Sequence, residues 1–316
     1  MTRPAVHQNS PTAFPPPPGQ PLPLAVGLRL VLAPNPSPMT AQGTNSYLLG
    51  EGAVTVIDPG PDNPAHLRAL LAALAPGERI TRILVSHSHL DHSPAARPLA
   101  QATGAPVLAF GDSTAGRSAR MQALADQANG NPAIGGGEGV DTAFAPDICL
   151  ADGTALDIGG QALHALHTPG HFGNHLCFQW GDALFTGDHV MGWAPSLVSP
   201  PDGDLTDFMA SLERLEALGQ TRLFPGHGAP VEDGQSRIRA LRAHRLSREA
   251  AIRAALAGGA DTARRITRAV YTDVAPALLP AAERNVLAHL IDLDARGLAR
   301  FTAAVALDAR VIAPRP

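Results

Sequence analysis

The sequence predicts an α/β fold carrying a loop-built site, followed by a small C-terminal winged-helix-like domain made almost wholly of helices. Three observations lead there. Buried-strand patterns alternate with helical ones from about residue 53 to residue 128. Several later strands run into short glycine turns, each followed by one His or Asp. From Ser236 onward the order is helix, helix, helix, then a short hairpin. The expected organisation is a flexible Pro-rich leader over residues 1–22, a catalytic domain over 23–235 and the winged-helix-like domain over 236–316.

Each element has a local cause. Ala53-Val54-Thr55-Val56-Ile57-Asp58 is a short apolar run stopped by Pro59-Gly60, which reads as a buried strand. Asn63-Pro64 supplies an N-cap and a proline at the first helical position. The helix carries Leu67, Leu70, Leu71 and Leu74 and stops at Pro76-Gly77. Ile80 to Val85 is the next buried strand and delivers the chain into Ser86-His87-Ser88-His89. Pro94–Ala102 reads as helix, Pro106–Phe110 as strand and Ser113–Ala128 as helix. Asn129–Gly139, rich in Gly and Pro, reads as a mobile loop. Strands follow at Ile148–Leu150, Ala155–Ile158, Ala162–His167 and Leu176–Trp180, and Ala183-Leu184-Phe185 leads into Thr186-Gly187-Asp188. A helix from Thr206 to Leu218 sets Leu212, Leu215 and Leu218 on one face, and Arg222-Leu223-Phe224 is the last strand before Pro225-Gly226-His227. In the C-terminal part, Gly258-Gly259 ends the first helix, Thr262–Tyr271 and Pro280–Ala295 form two more, and Leu298–Phe301 with Ala304–Leu307 form the hairpin.

Composition excludes several classes. A chain of 316 residues with 45% hydrophobic and 16% charged residues is long enough, and of ordinary enough composition, to bury a full core. No window holds the ~20 apolar residues that a membrane span requires. Met1–Pro18 lacks the apolar stretch of a secretory signal, so a cytoplasmic protein is expected. Cys149 and Cys177 have no metal-site spacing and read as reduced thiols. The net charge of −4 is uneven: residues 235–316 sum to +7 and residues 1–234 to −11. A basic C-terminal part suits either a polyanion or a solvated helical face.

The chemistry concentrates in His87-Ser88-His89-Leu90-Asp91-His92, directly after a buried strand. Imidazole and carboxylate are the donors that zinc and similar borderline ions accept. Four such donors within six residues have no ordinary structural use, because burying them unpaired costs several kcal/mol. Three further segments repeat one design: Thr168-Pro169-Gly170 before His171, Phe185-Thr186-Gly187 before Asp188, and Phe224-Pro225-Gly226 before His227. Strand ends on one edge of a sandwich converge, so these seven side chains can share a site. Seven protein donors exceed what one tetrahedral ion uses and suit two ions sharing a carboxylate.

The HxHxDH run resembles the metallo-β-lactamase superfamily, and the resemblance extends over about Leu28–Val231. More narrowly, His167–His171, Asn174–Phe178, Thr186–Gly192 and Pro200–Asp204 are similar to the lactamase-β-like-protein-2 group, and Asn285–Leu290 fits its helical domain. The resemblance implies a four-layer αββα sandwich. It implies that His87, His89 and His171 hold one metal ion, that Asp91, His92 and His227 hold the other, and that Asp188 bridges. Two zinc ions are expected, with iron or manganese also accepted by this donor set. It implies a hydrolase using a metal-bridging hydroxide, with Asp91 also orienting the nucleophile and moving protons.

Within the superfamily, a secreted β-lactamase is disfavoured, as there is no signal peptide and no thiolate in the second metal set. A flavodiiron reductase would carry Glu at position 89 and a flavodoxin domain. The β-CASP nuclease insertion does not fit between Asp188 and His227, which are 39 positions apart. The narrower group points to single-stranded RNA as substrate, in line with the basic C-terminal part; only 4% aromatic residues argue against base stacking. A glyoxalase-II-like thioesterase, or another hydrolase of small esters or lactones, is the alternative. His175 is the further catalytic candidate, facing the cleft to assist the leaving group. His189 is expected to turn inward, His164 and His167 to be strand residues, and Asn45 to support the site from behind.

Overall fold

In the computed structural model, which describes residues 14–128, 134–220 and 222–313, two sheets pack face to face with helices outside each. The first sheet is built in chain order from β1 (Pro21–Ala25), β2 (Leu28–Leu32), β3 (Asn45–Leu49) and β4 (Ala53–Ile57), all antiparallel neighbours. After helix α1 (Pro64–Ala72), β5 (Arg79–Leu84) joins parallel to β4; after α2 (Ala96–Thr103), β6 (Val107–Ala109) joins parallel to β5. Helix α3 (Ala119–Ala128) precedes the edge strand β7 (Ile148–Cys149). The second sheet begins with β8 (Ala155–Ile158), β9 (Gln161–His167), β10 (Leu176–Trp180) and β11 (Ala183–Gly187), in antiparallel succession. Helix α4 (Leu205–Ala217) then returns the chain to β12 (Arg222–Pro225), parallel to β11.

Side-chain alternation explains the layering. In β10, Leu176 and Phe178 point between the sheets, where they meet Tyr47, Leu84, Phe185 and Phe224, while Cys177 points outward. The outer face of the first sheet is covered by Leu70 of α1 and Leu99 of α2. The outer face of the second is covered by Phe208, Leu212 and Leu215 of α4. Each such Leu or Phe contributes about 1.5–3 kcal/mol through burial.

The C-terminal part consists of α5 (Gly234–Ala257), α6 (Ala263–Val270), α7 (Leu279–Ala295) and the two-stranded wing β13 (Arg300–Phe301) with β14 (Val311–Ile312). Helix α5 serves two cores. Its Ile238 and Leu241 lie in the outer layer of the sandwich, whereas Ile252 and Leu256 pack with Ile266, Leu287 and Leu290. The division expected at residue 235 marks the start of this helix, but the packing changes partner halfway along it.

Four expectations differ from what is observed. Strands β1 to β3 are additional; prolines at 21 and 23 obscure the pattern of β1. Helix α3 starts at Ala119 rather than Ser113. Asp112 ties Thr114 and Ala115 into a turn, and Gly116, at φ 73°, passes against the Gly173 carbonyl, so only Ser118 can cap the helix. The second wing strand lies at 311–312 rather than 304–307. Of the flexible leader expected over 1–22, residues 1–13 lie outside the described residues, while Phe14 packs on the inter-sheet core and Pro21-Leu22 open β1. Of the 129–139 loop, residues 129–133 also lie outside them; Gly139 accepts a hydrogen bond from the Leu90 amide, which places the remainder beside the His/Asp loop.

Burial of unpaired imidazole gives a stability prediction. His289 of α7 is 1% exposed, and neither ring nitrogen has a partner among the described residues. Burial, reinforced by Arg245, pushes its pKa from 6.5 down to about 3. The folded pKa lies below the unfolded one, so this stabilising contribution is complete above pH 6.5 and is lost as pH falls toward 3. At pH 5 the loss amounts to about 2 kcal/mol. Urea denaturation of wild type and His289→Met at pH 7.5 and pH 5.0 checks it: the variant is expected to lose correspondingly less on acidification, and equal losses would refute the assignment.

Candidate metal centre

The strand ends place the seven expected donors on one edge of the sandwich. β5 leads into the loop with His87, His89, Asp91 and His92; β9 leads to His171, β11 to Asp188 and β12 to His227. The turns need glycine for steric reasons. At Gly170, φ 137°, a Cβ would sit 2.2 Å from the Phe208 Cα; at Gly187, φ 45°, it would sit 2.6 Å from His175 Nε2.

The donors fall into two groups. One atom each from His87, His89, His171 and Asp188 lies within 4.8 Å of the others, and the same holds for Asp91, His92 and His227. Asp188 faces both. Its Oδ2 is 3.7 Å from His171 Nε2, while its Oδ1 is 3.4 Å from the Nε2 atoms of both His92 and His227. Asp91 Oδ2 is 3.1 Å from His227 Nε2.

The ring orientations test whether a cation fits. His171 Nδ1 donates to the Leu197 carbonyl at 2.7 Å and His227 Nδ1 to the Gly43 carbonyl at 3.1 Å. His92 Nδ1 meets Asp58 Oδ2 at 2.9 Å, and His87 Nδ1 meets Ser86 Oγ at 3.0 Å. The outward nitrogens are thereby committed as donors, and the Nε2 lone pairs point inward. His87 Nε2 lies 2.8 Å from His89 Nδ1, His171 Nε2 lies 3.1 Å from the same atom, and His92 Nε2 lies 3.2 Å from His227 Nε2. Lone pairs brought so close repel unless a cation or a proton sits between them. Five imidazoles and two carboxylates in this arrangement fit two borderline divalent ions.

The electrostatics divide along the same line. Burial, with repulsion from neighbouring imidazoles, keeps His87 well below its ordinary pKa; burial and His171 bring His89 down to about 3, and burial also lowers His171. In the other group, burial opposes protonation, but carboxylates outweigh it. Asp91, Asp188 and Asp58 hold His92 well up, and Asp188 and Asp91 take His227 up to about 9. Conversely, burial disfavours the ionised form of Asp91 and Asp188, and the facing His92 and His227 overcome that and keep both carboxyls low.

Other residues hold the donors in place. Asp58, at the end of β4, is 2% exposed and accepts from Ser86 N and Ser86 Oγ as well as from His92. Through Ser86 it reaches His87, so one carboxylate braces a member of each group. Its φ of 52° is left-handed, costing about 1–3 kcal/mol for a non-glycine residue. Asn174 Nδ2 donates to Ser88 Oγ and to the Gly111 and Asp112 carbonyls. Asn45 Nδ2 donates to the Pro225 and Gly228 carbonyls, bracing the turn that presents His227. Asp58, Ser86 and Asn174 were not singled out from the sequence. Asp58 carried a readable signal, since it too ends a buried strand before a Pro-Gly turn. Asp58→Ala is expected to weaken divalent-ion affinity about 10–100-fold. Competition against a chromophoric chelator measures this, and an unchanged affinity would remove its bracing role.

Among the remaining histidines, His175 does not face the cleft. It is fully buried behind His87 and against Gly187, with Nδ1 3.0 Å from Thr168 Oγ1. The strand that begins at Leu176 carries the ring inward, where it packs against His87 and His189. His189 also turns inward and packs on the Phe208 ring at 4.3 Å. His164 and His167 lie in β9, and His167 stacks on Phe110.

The family model described as metallo-beta-lactamase superfamily matches residues 39–227, and the one described as beta-lactamase associated winged helix domain matches residues 262–306. The chain is 31% identical over 266 residues to a beta-lactamase-like protein 2 homolog of Caenorhabditis elegans, covering 81% of this chain and 80% of that protein. It is 32% identical over 215 residues to an atrochrysone carboxyl ACP thioesterase of Aspergillus fumigatus, covering 66% of this chain and only 58% of that protein. A solved structure, a metallo-beta-lactamase family protein from Thermus thermophilus, superposes with a TM-score of 0.73 at 26% identity, covering 92% of this chain and 99% of that one.

Proposed function

This chain belongs to the metallo-beta-lactamase superfamily, and from that premise we propose that it is a two-metal hydrolase acting on an acyl thioester or a related small ester. His87, His89 and His171 would hold one ion, Asp91, His92 and His227 the other, and Asp188 both; zinc suits the donor set. When bound, such a pair activates water and polarises the electrophile. In this reading residues 23–235 carry the reaction.

The observation that carries the acyl reading is the apolar rim. Leu90, 50% exposed, immediately precedes Asp91. Trp193, 44% exposed, lies against Gly228, next to His227, and Met39, 45% exposed, stands in the turn ahead of Gly43. Exposed apolar side chains around a polar centre favour an acyl chain over a sugar-phosphate backbone. The Asp91 side chain is 26% exposed, against 10% for Asp188. It is placed to orient water and accept its proton. The thioesterase name of the Aspergillus relative supports the same substrate class.

Single-stranded RNA requires a free basic surface, and much of the C-terminal charge is already engaged. Arg242 pairs with Glu213 and Glu216, Arg264 with Glu283 and Asp308, Arg265 and Arg310 with Asp261, and Arg296 with Glu249 and Asp292. Metal-loaded protein incubated with an acyl-pantetheine thioester, S-lactoylglutathione, an acyl lactone, nitrocefin and an RNA oligonucleotide tests the proposal. Thioester or ester turnover abolished by Asp188→Ala supports it. RNA cleavage abolished by the same substitution, without turnover of any ester or thioester, would overturn it.

A further inference from the structure

We propose that the C-terminal helices form part of the metal site, because Arg245 of α5 and Asn285 of α7 hold the Ser196–Val198 segment whose Leu197 carbonyl orients His171. This rests on the metal reading above and assigns positioning residues to it.

The linkage is continuous. His171 Nδ1 donates to the Leu197 carbonyl at 2.7 Å. On one side of Leu197, the Ser196 carbonyl accepts from Arg245 Nη2, and Ser196 Oγ donates to the His189 carbonyl. On the other side, the Val198 amide donates to Asn285 Oδ1 at 3.1 Å. Arg245 Nη1 donates to that same Asn285 oxygen at 3.0 Å, so the two side chains clamp the segment as a unit. A second route reaches the same ligand. The Arg245 guanidinium lies over the Phe208 ring at 4.9 Å, and the Phe208 backbone is in contact with Gly170, the residue before His171.

Arg245 is an unusual residue to spend on structure alone. It is 3% exposed, and no carboxylate pairs with it among the described residues. Burying a guanidinium against carbonyls, an amide oxygen and an aromatic face costs more than burying Met or Leu in the same space. What the charge supplies is direction. Its planar fork fixes the Ser196 carbonyl and the Asn285 amide together, and an apolar side chain of similar size would leave the Leu197 carbonyl free to rotate away from His171. The winged-helix part is therefore coupled to His171, and through it to the His87, His89 and His171 group.

Zinc titration of full-length, metal-free protein against a chromophoric chelator tests this. Wild type is expected to bind in two steps. Arg245→Met is expected to weaken one step about 10–100-fold and leave the other nearly unchanged. In a His171→Ala background, Arg245→Met should add nothing further. Arg242→Met, on the solvent side of the same helix, should leave both steps as in wild type. Equal weakening of both steps by Arg245→Met, no weakening, or a full effect persisting beside His171→Ala would overturn the coupling. Asn285→Ala removes the amide that holds Val198 and accepts from Arg245 Nη1, and carries the same expectation should Arg245→Met fail to fold. A wild-type chain that takes up no zinc would instead overturn the metal reading beneath it.

Discussion

Asp188→Ala is expected to abolish hydrolysis, lowering kcat/KM by about 10³-fold or more. The magnitude follows from what a metal pair contributes: several kcal/mol of charge stabilisation, at about 1.36 kcal/mol per decade. No other side chain among the described residues offers one oxygen to each donor group, with Oδ2 toward His171 and Oδ1 toward both His92 and His227. The variant should therefore lose tight uptake of at least one ion per chain, read by equilibrium dialysis alongside turnover. Asp188→Asn, which keeps the shape but not the charge, should fall between wild type and alanine in affinity. A variant that retains both ions and more than a tenth of the activity would exclude Asp188 as the bridge.

Asp91→Ala is expected to cost at least ~10²-fold in kcat. The carboxylate would serve twice, as a donor to one ion and as the group that orients water and takes its proton. Asp91→Asn separates the two roles, since an amide oxygen can still ligate but cannot accept a proton at neutral pH. The expectation is a metal content close to wild type with kcat still down by about 10²-fold. An unchanged rate with any substrate that the wild type turns over would remove Asp91 from the chemistry.

The clustering of the seven side chains was legible because the pattern is dense and repeated. Four donors lie within six residues after a buried strand, and three more each follow a strand and a glycine turn. The family and the layered fold were legible for the same reason, and the strand–helix alternation from β4 to β6 emerged from short apolar runs stopped by Pro and Gly. What stayed hidden depends on groups with no side-chain signature. The Leu197 and Gly43 carbonyls that fix His171 and His227 come from segments outside every strand and helix pattern in the sequence. Asp58 was visible as a strand end, yet its partnership with Ser86 and His92 appears only once β4 and β5 lie parallel. His175 misled because proximity to His171 in sequence does not say which way a strand turns. The basic C-terminal charge was counted correctly, but a count cannot distinguish a free arginine from one paired with glutamate, as Arg242 is with Glu213, or from one buried, as Arg245 is.

Every role assigned above depends on a site for two ions sharing Asp188. The most direct measurement is the metal content of the full-length chain after stripping with chelator, reloading with zinc and removing excess, by elemental analysis on a protein-concentration scale. Wild type is expected to hold two ions per chain. His171→Ala and His227→Ala are each expected to hold less, each variant losing an ion from its own group. A wild-type content of one or none, or two ions retained in both variants, would contradict the two-ion site.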